Sequence, residues 1–171
     1  MGRSIEHWRH MIIEMAIAAA AWMAPLPAVE QAQQVRIVNV SAARKARDLP
    51  TEWQDFTLCI SARESGYGKH HDTSKSYRAK NPASTASGRY QFLDSSWRKG
   101  GAWNVWKRLI KHGYTKATAA RVRERLMETP IRYWKPVYQD ILYAEVILSN
   151  DGKGWKHWYL AGSPCNSKVP T

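Results

Sequence analysis

The chain has 171 residues, enough for one domain with tails and a sizeable buried core. Its 26 Lys and Arg against 14 Asp and Glu give a net charge of +12, which draws it toward polyanions: nucleic acid, anionic lipid or an acidic cell wall. The basic residues are scattered, which excludes an arginine-rich nucleic-acid arm, and nine Trp and eight Tyr against two Phe suit both cores and carbohydrate-facing clefts.

Arg3 and Arg9 precede a mostly apolar, alanine-rich stretch that runs from Met11 to Ala28, with Pro25 and Pro27 near its end. Residues 1–32 are therefore read as a secretory leader or N-terminal hydrophobic segment. Glu14 interrupts the run, and cleavage after Ala28 or Ala32 would put Leu26 or Glu30 where a small residue is wanted. A non-cleaved amphipathic helix is the alternative. The uninterrupted run from Met15 to Ala24 is ten residues, too short to cross a bilayer. Residues 33–50 are polar and read as a linker, with Val35 to Val40 as a short strand or extended arm. The domain proper is placed at 51–171.

Thr51, with Pro50 before it and Gln54 three residues on, has the arrangement of a capping box. Trp53, Phe56 and Ile60 recur at helical spacing, Glu64 follows on that stripe, and Gly66 supplies a terminator, which predicts a helix over 51–65. Tyr67 to Phe92 reads as loop and short β-hairpin. Asp94 is expected to cap a short helix that holds Trp97 and stops at Gly100-Gly101. A further helix from Trp103 to His112 turns Trp106, Leu109 and Ile110 inward, and Gly113 ends it. Thr115 opens a basic helix to Met127, buried along Val122 and Leu126 and broken at Thr129-Pro130. Pro136 opens the last long helix, 136–149, which buries Ile141, Ala144, Ile147 and Leu148 before a turn at Asn150-Asp151-Gly152. The fold class is α+β, mostly α, with one small hairpin.

Cutting a glycosidic bond needs an acid that still holds its proton when the sugar arrives. Glu64 continues the apolar face of its helix, so its carboxyl is expected where core meets cleft, a setting that disfavours charge. Arg63 acts in the opposite sense, but successive helical residues diverge by about 100°, which predicts that it points elsewhere. Cys59 and Cys165 would most simply bridge each other in an exported chain, closing a loop worth roughly 4–5 kcal/mol, and would be two buried thiols in a reducing cytosol. His70-His71-Asp72 does not read as a metal site, since adjacent histidines point apart and no third ligand is spaced to join them. No cofactor is expected.

In order, the chain carries Cys-x4-Glu-Ser-Gly (Cys59, Glu64, Ser65, Gly66), Tyr-x-Ala-x-Asn (Tyr77, Ala79, Asn81), Ala-Ser-Gly-Arg-Tyr-Gln-Phe-Leu over 86–93, and Ser-x-Trp (Ser95, Trp97). Together these resemble the transglycosylase-like domain of the lysozyme superfamily, similar to the catalytic domains of actinobacterial resuscitation-promoting factors and related bacteriophage cell-wall enzymes. The resemblance covers roughly 51–166 and takes in Gly154, Trp155, Trp158 and Cys165. It implies a lysozyme-like fold with the hairpin beside a catalytic cleft. It also implies Glu64 as acid and base, Ser65 shaping that helix end, and Tyr77, Asn81, Gly88, Tyr90 and Gln91 lining the cleft. In many of those factors a cysteine directly precedes the catalytic glutamate, whereas here four residues intervene.

The implied reaction is cleavage of the β-1,4 bond between N-acetylmuramic acid and N-acetylglucosamine in peptidoglycan. With one carboxylate the substrate's acetamido group assists and its 6-hydroxyl closes an anhydro ring. A hydrolytic lysozyme would add a second carboxylate, for which Asp72 and Asp94 are the candidates. A non-catalytic peptidoglycan-binding module and a nucleic-acid binder are the competing classes. The expected partners are glycan strands and an anionic wall surface, without nucleic acid or a stable membrane span. The expected state is a monomer, secreted, wall-associated or carried on a virion.

Overall fold

The computed structural model describes residues 28–66 and 73–171, so most of the leader read over 1–32, and the His70-His71-Asp72 segment, lie outside the described residues. The chain divides into two units, Met1–Ile37 and Val38–Thr171, and the candidate site lies in the second. The described residues are mostly helical with one two-stranded antiparallel sheet.

Helix α1 (Ala28–Arg47) runs through the stretch read as a linker with an extended arm. Its β-branched residues suggested a strand, but the Ala, Gln, Lys and Arg around them are strong helix formers. Glu30 in the first turn and Arg44, Lys45 and Arg47 in the last also suit the helix dipole. Ala43 and Ala46 at its end are buried. The buried Arg108 donates to the carbonyls of Ala46 and Asp48 and to Glu145, fastening this end of α1 to later helices.

A 3-10 turn (Thr51–Trp53) leads into α2 (Gln54–Ser65). The expected capping box does not form: the Trp53 N–H closes the turn on the Pro50 carbonyl at 3.0 Å, and no side chain caps α2. Trp53, Phe56 and Ile60 are buried as their spacing predicts. Gly66, at φ 68°, ends the helix by donating to the Ala62 carbonyl. A short helix α3 (Thr73–Tyr77) stands inside the region read as loop. Strands β1 (Ala86–Ser87) and β2 (Phe92–Leu93) pair Ala86 with Leu93 and Ser87 with Phe92.

Helix α4 (Asp94–Lys111) is continuous, so the expected stop at Gly100-Gly101 is absent. Asp94 lies in its first turn, and the cap position belongs to Leu93. Gly101 is there for contact: a Cβ would press on Leu142 at 2.9 Å and Trp134 at 3.5 Å. The glycine lets α4 lie close against its neighbour, which offsets its poor helix propensity. Helix α5 (Lys116–Glu128) starts at Thr115, whose hydroxyl accepts from the Thr118 N–H at 3.2 Å. After a 3-10 turn (Ile131–Tyr133), α6 (Pro136–Ile147) buries Ile141, Ala144 and Ile147, while Leu148, expected inside, is exposed just past its end. The reversal at Asn150, Asp151 and Gly152 takes three successive positive φ angles. Two more 3-10 turns, Gly154–Trp158 and Pro164–Lys168, form the tail. A disulfide joins Cys59, in the middle of α2, to Cys165 in that last turn, with Cα atoms 5.5 Å apart.

Candidate active site

Glu64 is the second-last residue of α2, and its side chain is 24% exposed. Arg63 does not point away from it. Its Nε and Nη2 donate to Glu64 Oε1 at 2.9 and 2.6 Å, its Nη1 donates to Ser163 Oγ at 3.0 Å, and its Nη2 also reaches the Trp158 carbonyl at 2.8 Å. A guanidinium on three methylenes can wrap back to a neighbour despite the angular divergence of the two Cα–Cβ bonds, and the two tail acceptors fix it there. The tail is itself stapled to α2 by the disulfide. Both bonds from Arg63 fall on one carboxylate oxygen. Among the described residues nothing donates to Oε2.

The other predicted site residues are occupied within the scaffold. Ser65 Oγ donates back to the Ser61 carbonyl at 2.8 Å, so it shapes the helix end. Tyr77 OH donates to Asp140, 2.8 Å from each carboxylate oxygen, and Tyr90 OH donates to Asp140 Oδ1 at 2.9 Å. Arg89 Nη1 donates to Tyr77 OH at 2.7 Å and stands 4.0 Å from Asp140. Burial, then the Asp140 charge, pushes the Tyr77 phenol up to about 12, and the same causes raise Tyr90 well above its ordinary value. Desolvation raises Asp140 as well, against the lowering by both phenols and by Arg89. Tyr90 is buried and stacks on Tyr143 with ring centroids 4.0 Å apart.

Asn81 Oδ1 accepts from the Ala83 N–H at 2.9 Å, an Asx turn on the exposed loop. Gly88 takes φ 79°, and a Cβ there would collide with Gln139, whose Oε1 accepts from the Arg89 N–H at 3.0 Å. Gln91, also at positive φ, donates from its amide to the Gly88 carbonyl at 2.9 Å. Asp94 Oδ1 accepts from the Ile131 N–H at 2.7 Å, and its Oδ2 lies 3.7 Å from Arg98. The structure thus gathers Tyr77, Tyr90 and Arg89 around Asp140, and brings Cys59, Cys165 and Arg63 to the helix that carries Glu64.

Ser163 and Asp140 were not singled out from sequence, and Arg63 was expected to point away from Glu64. Asp140 had a readable signal, one of two acids in the mostly buried run of α6. Among the described residues, two of the clefts in the unit that carries Glu64 are not lined by it. One, of about 310 Å³, is lined by Gln54, Thr57 and Leu58 of α2 with Tyr90, Asp140 and Tyr143. The other, of about 520 Å³, lies along α5 and the start of α6. Among the described residues no group of three or more His, Cys, Asp or Glu could hold a metal ion, and no helix is long and apolar enough to cross a membrane. Compared with known proteins, the chain matches no family model, no curated protein and no solved structure.

Proposed function

We propose that the chain cuts the β-1,4 bond between N-acetylmuramic acid and N-acetylglucosamine in peptidoglycan, with Glu64 as the single acid and base. The observation that carries this reading is the state of the Glu64 carboxyl: half-buried, steadied through one oxygen by Arg63, and with the other oxygen open among the described residues. A general acid needs this combination of fixed position and spare capacity. The mostly helical fold with a small hairpin and the sequence elements around Glu64 support the same reading.

In the proposed reaction Oε2 delivers a proton to the leaving glycosidic oxygen while the substrate's acetamido oxygen assists at the anomeric carbon. The same oxygen then takes the proton of the 6-hydroxyl as that hydroxyl closes the 1,6-anhydro ring. Asp94 supports the single-acid route over hydrolysis, because its oxygens are engaged by the Ile131 N–H and by Arg98. The disulfide supports work in an oxidising compartment outside the cytosol, at the wall or on a virion.

Glu64→Gln should lower wall clearing by roughly 10²–10⁴-fold, the usual contribution of a positioned acid, and leave thermal unfolding unchanged. Mass spectrometry of the muropeptides should show anhydro ends, one water lighter than reducing ends. Undiminished clearing by the variant would remove Glu64 from the mechanism. Reducing ends would replace the transglycosylase with a hydrolytic lysozyme. Binding without turnover by the wild type would leave a wall-binding module.

A further inference from the structure

Helix α5 places Arg121 and Arg125 four residues apart, hence on one face a single turn from each other. Both line the cleft of about 520 Å³, and Lys135 closes it from the start of α6. Among the described residues no carboxylate lines this cleft. Glu124 and Glu128 stand three residues on from the two arginines, yet no ion pair among the described residues joins either arginine to an acid, and Glu124 pairs instead with Arg123 at 3.6 Å. Arg121 is tied only to the Thr118 hydroxyl, at 3.3 Å. Like charges one helical turn apart repel, so an anion seated between them would stabilise this face. Tyr138 lines the same cleft, its phenol raised by burial and lowered by the Arg125 charge.

We infer that this groove binds a phosphodiester polymer of the teichoic type, a chain of polyol phosphates. The guanidinium fork suits phosphate oxygens, and two forks one turn apart can meet successive phosphates along a flexible backbone. The apolar floor of Val122 and Leu126 suits the methylene and methine groups between them. Nucleic acid fits less well, because single strands are held by bases stacked on open rings. Here Trp134 is buried with its indole N–H on the Leu126 and Thr129 carbonyls, and the Arg132 guanidinium covers the Tyr133 ring at 4.7 Å. The choice of polymer rests on the wall-cutting reading. The groove's charge does not.

The test uses the full chain and three probes: purified poly(glycerol phosphate), single-stranded DNA of matched charge, and peptidoglycan stripped of its phosphate polymers. The combined variant Arg121→Gln, Arg125→Gln and Lys135→Gln, all at exposed positions, should bind poly(glycerol phosphate) at least tenfold more weakly. It should digest stripped peptidoglycan at the wild-type rate and unfold at the wild-type temperature. The wild type's slope of log affinity against log salt should flatten by roughly two in the variant. Glu64→Gln should bind the polymer as the wild type does, so a failed cleavage assay leaves this result readable. Equal polymer binding by wild type and triple variant overturns the proposal. So does DNA that binds as tightly as the polymer and loses as much in the variant, which would make the groove a general polyanion site.

Discussion

Two carboxylates in this protein, Glu64 and Asp140, each lie beside an arginine and are similarly shielded, at 24% and 16% side-chain exposure. Their partners differ. Asp140 takes both phenols, one from α3 and one from the hairpin, so that three segments close on it. Among the described residues Glu64 has a single partner, its own neighbour in the chain, bonded through one oxygen. Burial alone would not tell these acids apart. The placement of the donors does: at Asp140 they come from distant segments and reach both oxygens, as suits a scaffold joint, whereas at Glu64 both fall on Oε1 and, among the described residues, leave Oε2 for chemistry.

The most forceful way to test the Glu64 side is to remove its staple. Replacing Cys59 and Cys165 with Ala should lower stability by about 4–5 kcal/mol in the chain-entropy account of a long closed loop, read as a fall in the urea midpoint. Wall clearing should fall with it even under conditions where the variant is folded, because the tail acceptors of Arg63 are no longer tied to α2. A variant that clears walls normally would show that the tail does not position the site. Next in size comes Asp140→Ala, which takes the shared acceptor from two buried phenols and should cost about 3 kcal/mol. Clearing per folded molecule should stay unchanged. A selective loss of activity at full stability would place Asp140 in the chemistry and erase the contrast.

Arg63→Gln sharpens the comparison from the other direction. The guanidinium holds Glu64 and the tail together, so its loss should cost roughly 10- to 100-fold in turnover by misplacing the carboxyl, with little change in unfolding temperature. Arg63→Lys should rescue little, because one ammonium cannot reproduce the four bonds of the fork. Full activity in the Gln variant would mean that Glu64 is placed by its helix alone.

What could be read in advance was whatever is encoded locally. The stripe of Trp53, Phe56 and Ile60, the stop at Gly66 and the start at Thr115 each follow from neighbours within a turn. The misreadings were tertiary. Two adjacent glycines looked like a helix end, but Gly101 is a contact surface for Leu142 and Trp134, and nothing within four residues announces that. The β-branched residues of α1 suggested an extended arm, while the formers around them decided the outcome. The residues around Asp140 come from positions 77, 89 and 90, separated from it by 50 residues or more, so no spacing rule could collect them. Near Glu64 the pairing of Cys59 with Cys165 was legible. The direction of Arg63 was not, because helical geometry fixes where a side chain starts and not where a long one ends.

The smallest expected effect is a pH dependence that belongs to Asp140. Desolvation raises its folded pKa above the ordinary 3.8, so the folded state keeps a proton that the unfolded chain has already released. Between the ordinary value and the folded one the native state binds more protons, and stability must fall as pH rises through that window. Below 3.8 the contribution is fully present, and above the folded value it is gone. The same network titrates again in alkali. Tyr77 is raised to about 12 from 10.0, so a second loss should run across that interval as the unfolded phenol ionises first. Urea unfolding of the wild type and Asp140→Asn should therefore diverge with pH just above 3.8 and run parallel through neutrality. Tyr77→Phe should remove part of the alkaline loss. Parallel curves across the acid window would mean that Asp140 is better solvated than its partners suggest, and the distinction between a filled and an open carboxylate would then rest on Glu64 alone.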